Sequence, residues 1–252
     1  MIQGLRQTQP SIPPKYFYNQ IGSKLFDAIC ETEEYYVTRT ELLRQGNTLS
    51  QVTQQLSQAL GIKSTLFPMT EQSVATFVRL ENGSPLAFQE YFVKRQCEPK
   101  ISGYYFQGID AAGPSQGFLD SIQDSRLCSI ILCPSNPFVS IEPILSVPGI
   151  TAALTNHPAP VIAVSPIIAG QAVKGPTAKI MAELGLKMNS ITVADYYQDI
   201  VSGFILDRRD AGEADAIRQI IPRVGVAKTL MQTLQDKIGL ARETLDFVGL
   251  DV

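Results

Sequence analysis

The chain of 252 residues has a single histidine, His157, which excludes paired-histidine metal sites such as HExxH. Its four cysteines, Cys30, Cys97, Cys128 and Cys133, show no CxxC spacing and read as reduced thiols of a cytosolic protein. No apolar run approaches the ~20 residues of a membrane span, and the opening MIQGLRQTQPSIPPKYF lacks the apolar segment of a signal peptide. A cytoplasmic location is therefore expected. A net charge of only −3 gives no reason to expect nucleic acid or an anionic membrane as partner. Neither a GKS/T loop nor GxGxxG occurs, so the commonest glycine-rich nucleotide loops are excluded. What remains is a globular balance, 44% hydrophobic and 18% charged.

Apolar runs alternate with helical periodicity. Leu49, Val52, Leu56 and Leu60 form one helical stripe, with Asn47 or Thr48 as cap and Gly61 as stop. Residues 64–67 read as a short strand. Val74–Leu80 and Leu86–Val93 read as strands joined through Asn82-Gly83, and Gly103–Gln107 as another. On such a strand Gln89 and Tyr91 share one face, and Phe88, Glu90 and Phe92 the other. Downstream, helix Gly117–Gln123 precedes apolar strands Leu127–Cys133, Pro160–Val164, Gly203–Leu206 and Val224–Ala227. Helices beginning at Pro176, over 192–199 and 211–220, and from about Asp236 are interleaved. This order predicts an α/β, Rossmann-like, mostly parallel sheet with flanking helices and a β-hairpin insertion.

In such sheets ligands sit at the carboxyl edge. Two loops there carry polar residues. CPSNPFVSIEPILSVPGI follows the first strand and offers Ser135, Asn136, Pro137 and Ser140, with hydroxyl, amide and backbone N–H donors suited to a phosphate. The structural alternative is a proline-rich turn with capping serines, at about even weight on chemistry alone. The second loop offers Ser165, Lys174 and Gly175 before a helix, although a solvated lysine is the commoner use. His157 precedes Pro158 with no partner acid nearby in sequence and reads as a surface residue. Asp195, Asp207 and Asp210 read as caps or solvated acids rather than metal ligands.

The strings LFPMTEQSVATFV, FQEYFVKRQ, CPSNPFVSIEPILSVPGI, APVIAVSPIIAGQAVKGPTAKIMAELG, VADYY and AKTLM closely resemble the 2-phospho-L-lactate transferase (CofD-like) family of coenzyme F-420 biosynthesis, from about Arg39 to Leu245. The resemblance implies attack of the deazaflavin Fo on a guanylylated phospho-acid, of phospholactyl or phosphoenolpyruvyl type. GMP would be released, with Mg2+ neutralising the diphosphate. It implies that Ser135, Asn136, Pro137 and Ser140 hold the guanosine diphosphate part, and that Ser165, Lys174 and Gly175 line the adjacent phosphate region.

PPKYFYNQIGSKLF and EEYYVTRTE instead resemble the N-terminal segment of the histidine N-alpha-methyltransferases of ergothioneine biosynthesis, with Tyr35 at a histidine-binding tyrosine. The cofactor domain of those enzymes has no counterpart here, so methyl transfer is not expected. The transferase family opens with a Gly-Gly-Thr-Gly-type loop, whereas this sequence has no Gly-Gly pair. The expectation is thus a poorly packed methyltransferase-like segment, 1–38, joined to a domain, 39–252, that lacks the glycine-rich βαβ part. Such a domain is expected to be weakly active and to associate as a homodimer. The alternative is an inactive fused remnant that at most binds guanine nucleotide.

Overall fold

The computed structural model describes residues 42–172 and 176–250. The methyltransferase-like motifs, Tyr35, Lys174 and Gly175 lie outside them. The chain divides into two units: residues 1–71 with 115–118, and residues 72–114 with 119–252.

In the first unit, helix α1 (Leu49–Ala59) begins at a capping box in which Thr48 and Gln51 each accept the other's backbone N–H. Gly61, at φ 68°, lies just beyond its end. Val52 is buried, whereas Leu60, at the end of the expected stripe, stays exposed. Residues 64–67 form no strand. Ser115 ties this stretch instead, bonding Pro68 O through its hydroxyl and Met69 O through its N–H.

The second unit holds two sheets. Strands β1 (Ala75–Leu80), β2 (Pro85–Ala87) and β3 (Ile101–Gln107) form an antiparallel sheet in the order β2-β1-β3. The turn between β1 and β2 uses Asn82 Oδ1, which accepts from Ser84, and Gly83 at φ 80°. The expected strand over Leu86–Val93 ends at Ala87 and gives way to a π-helical turn, Glu90–Lys94. Helical spacing prevails over alternation there. Phe88 stacks on Phe92 at 5.8 Å, and Glu90 pairs with Lys94 at 3.8 Å, both four residues apart. The two-faced strand reading of Phe88–Phe92 is therefore wrong.

The chain continues through α2 (Gln116–Gln123) into the parallel sheet of β4 (Ile130–Leu132), β5 (Val161–Val164), β8 (Gly203–Asp207) and β9 (Arg223–Ala227), paired in that order. Strand β8 is buried along its whole length, as a central parallel strand should be. Strand β4 keeps only three residues and is half-exposed, as befits an edge. The crossovers carry α3 (Glu142–Leu145) and α4 (Ile150–Asn156), then α5 (Thr177–Glu183) and α6 (Ser190–Tyr197), then α7 (Ala214–Arg218). The C-terminal α8 (Leu234–Val248) covers one face, joining Leu240, Phe247 and Val248 to Ile162, Val164, Ile205 and Ala227. Phe247 can lie against the sheet because its neighbours are glycines. A Cβ at Gly203 would come within 2.8 Å of its ring, and one at Gly225 within 2.9 Å. A two-strand hairpin, β6 (Ile167–Ile168) with β7 (Gln171–Ala172), occupies the loop after β5. No single helix among the described residues is long and apolar enough to cross a membrane.

Candidate functional site

All four parallel strands deliver polar residues to the carboxyl edge. After β4 the chain turns at Asn136, which is buried to 9% exposure and caps a π-helical turn, Pro137–Ile141. Its Oδ1 accepts from the N–H of Phe138 at 2.9 Å and of Val139 at 3.2 Å. Its carbonyl accepts from Ser140 and Ile141. Pro137 has no N–H to offer. The backbone donors at the start of this turn are thus committed internally. Asn136 Nδ2, by contrast, is buried with no partner among the described residues. A buried amide donor without an acceptor costs about 1–3 kcal/mol, so an oxygen brought to it by a ligand would relieve a standing penalty. Ser135 is half-buried and Ser140 exposed beside it.

Phe138 points into a cluster of rings. It lies 5.2 Å from Tyr196 on α6 and 6.1 Å from Tyr104 on β3. Tyr104 donates its hydroxyl to Glu142, and the Tyr196 phenol lies near enough to the same carboxylate and to Tyr104 to be perturbed by both. Burial, reinforced by hydrogen bonding to Glu142, pushes both phenols above their ordinary value. No sequence signal joined these three residues. An acid within the apolar run of SIEPIL was the one available hint at Glu142.

The loop after β5 is held by a chain of polar contacts. The Ser165 hydroxyl is buried, 2.9 Å from that of Ser190 at the start of α6, and accepts from Ile167 N–H at 3.1 Å. Glu213 in turn accepts from Ser190 N–H. Ala169 and Gly170, both at positive φ, make the two-residue turn of the β6–β7 hairpin. Asp210 takes both their N–H groups, at 2.7 and 2.9 Å. At the end of β8, Asp207 accepts from the N–H and hydroxyl of Thr229, at 2.9 and 3.0 Å, and from Arg209 N–H at 3.0 Å. Burial opposes its charge, but these hydrogen bonds outweigh burial and hold its carboxyl below the usual range.

Asp207 thus acts as a cap, Asp210 holds the hairpin turn of the neighbouring loop instead of capping or facing solvent, and Asp195 is exposed. The His157 ring bridges Asp124 O and Ala159 N–H at the opposite end of the sheet. Among the described residues no three His, Cys, Asp or Glu side chains gather to ligate a metal. Asp207 and Asp210 have their oxygens on backbone and hydroxyl donors and Glu142 accepts from the Tyr104 hydroxyl, so the described residues do not fit a protein-held magnesium ion.

The structure therefore brings Ser135, Asn136, Pro137 and Ser140 together on one turn and buries Ser165 in the neighbouring loop. Comparison with known proteins gives this arrangement a family. A protein of the upf0052 family from Bacillus halodurans superimposes with a TM-score of 0.51 at 14% identity, covering 81% of this chain and 69% of that one, a likeness of fold alone. The 2-phospho-L-lactate transferase of Methanosarcina mazei is 33% identical over 206 residues. That alignment covers 82% of this chain, which spans 66% of the relative's length, just under two thirds. The 2-phospho-L-lactate transferase of Methanocaldococcus jannaschii is 33% identical over 241 residues, covering 93% of this chain and 75% of its own. The family model for 2-phospho-L-lactate transferase CofD matches residues 31–221, beginning before the boundary at 39 expected from the sequence. On these matches and this fold, the chain belongs to the 2-phospho-L-lactate transferase CofD family.

Proposed function

We propose that the chain transfers a phospholactyl-type (or phosphoenolpyruvyl-type) group from its guanosine diphosphate conjugate to the deazaflavin Fo in coenzyme F-420 biosynthesis. The terminal ribityl hydroxyl of Fo attacks the phosphorus nearer the three-carbon acid. The bond to the bridging oxygen breaks, GMP leaves with that oxygen, and the hydroxyl proton passes to solvent. Asn136 is the residue on which this reading rests. It lies within the family string PSNPFVSIEPIL, on the carboxyl-edge turn, and its buried Nδ2 donor lacks an acceptor. Ser135 and Ser140 stand beside it as further neutral donors, and Lys174 and Gly175 would supply the phosphate contacts of the second loop. A soluble cytoplasmic homodimer is part of the same reading, and so is the assignment of residues 1–41 to a methyltransferase-type segment. The test is to incubate the purified chain with Fo, the guanylylated acid and magnesium. Mass spectrometry should find the phosphodiester and GMP in equal amounts.

One observation favours a second reading, binding without turnover. Asp207 and Asp210 have both carboxylate oxygens engaged by N–H or hydroxyl donors, so neither is a spare base for the attacking hydroxyl. Saturable GDP binding with neither product formed would select it.

A further inference from the structure

We propose that Glu142 is a positioning residue for the nucleotide site, acting through the phenols of Tyr104 and Tyr196 to hold the Asn136–Ile141 turn in its binding shape. The inference rests on the reading of that turn as the nucleotide-holding element. Glu142 begins α3 directly after the π-helical turn, and its backbone N–H bonds back to Pro137 O. Its carboxylate accepts from Tyr104 of β3, and Tyr196 of α6 stands beside that pair with its ring against Phe138. One side chain thereby gathers three elements around Phe138, whose ring is flanked by the same two tyrosines. Phe138 also supplies one of the two N–H groups held by Asn136 Oδ1. Movement of Phe138 would release that cap and turn the unpartnered Nδ2 away from its burial site.

The arrangement differs from the other acids at this edge. Asp207, Asp210 and Glu213 bond backbone amides, which fixes loops whatever side chains surround them. Among the described residues Glu142 accepts instead from a side-chain hydroxyl, that of Tyr104, and the rings of Tyr104 and Tyr196 both pack on the site turn. The antiparallel sheet thus contributes Tyr104 to the arrangement of a loop that follows a different sheet.

The experiment measures GDP binding by calorimetry on the full chain, well below its melting temperature, for Glu142→Gln, Tyr104→Phe and Tyr196→Phe. A control is Ile221→Val, which thins a buried side chain at the amino end of β9. Losing a charge-assisted hydrogen bond should weaken GDP binding about tenfold in Glu142→Gln and in Tyr104→Phe. The control should lower the melting temperature and leave Kd unchanged. The two phenylalanine variants keep their rings and carry the test if Glu142→Gln fails to fold. Lowered melting temperatures with wild-type Kd would make the cluster purely structural and overturn the proposal. Absence of GDP binding by the wild-type chain would defeat the nucleotide reading itself, and the proposal with it.

Discussion

Asp207 ends the central strand with both carboxylate oxygens in use and 3% of its surface exposed. Substitution by asparagine should cost about 1–3 kcal/mol, since an amide nitrogen must face a donor at one of these positions. Its folded pKa is depressed, so its stabilising effect is present above the unfolded carboxyl value of about 3.9 and is lost as pH falls through the lower folded value. Urea unfolding between pH 3 and 7 should show wild-type stability falling below about pH 4, with a shallower fall in Asp207→Asn. The thiols should also separate. Burial pushes the Cys97 thiol up, whereas Cys128 and Cys133 are exposed, so a maleimide pulse mapped by mass spectrometry should label the latter two first. At this scale the sequence showed which residues reach the carboxyl edge but not what they do there. Asp207 caps the turn after its strand, as its place behind an apolar run implies, whereas Asp210 is neither cap nor solvated acid but holds the Ala169–Gly170 turn of another loop. Tyr104 and Glu142 are 38 positions apart on separate elements, and no periodicity links them.

Elements were readable wherever one local force dominated. Thr48 with Gln51, and Thr233 with Asp236, form capping boxes at helices whose starts the sequence marks. The stretch after Ala87 departs from the strand its aromatic, β-prone residues predict because the same residues also fit a helical spacing. Phe88–Phe92 stacking and the Glu90–Lys94 pair decided the outcome. Glycines carry a subtler message. Gly225 sits within a strand, where glycine is usually unfavourable, and its lack of a side chain admits the Phe247 ring. A valine at Gly225 should push Phe247 off the sheet. Overpacking of this kind costs about 1–3 kcal/mol, and the urea midpoint should fall with little change in slope.

For the whole molecule, the consequence of a nucleotide site is linkage. A ligand that binds only the folded state adds about 2.7 kcal/mol at one hundred times its Kd. In a chain of this length each kcal/mol raises Tm by about 2–4 °C, so saturating GDP should raise Tm by about 5–10 °C. ADP should do less if the base is read as well as the phosphates. Where the protection falls is as informative as its size. The proposed contacts all lie in the unit formed by residues 72–114 and 119–252, on the loops that follow β4 and β5. Hydrogen exchange read by mass spectrometry should therefore slow across residues 133–142 and 165–172 when GDP is added. Helix α1, in the other unit, should exchange at its unliganded rate. A thermal shift accompanied by slowing in α1 alone would place the nucleotide outside the carboxyl edge, and Asn136 would then be a buried donor with a structural cost and no ligand to relieve it.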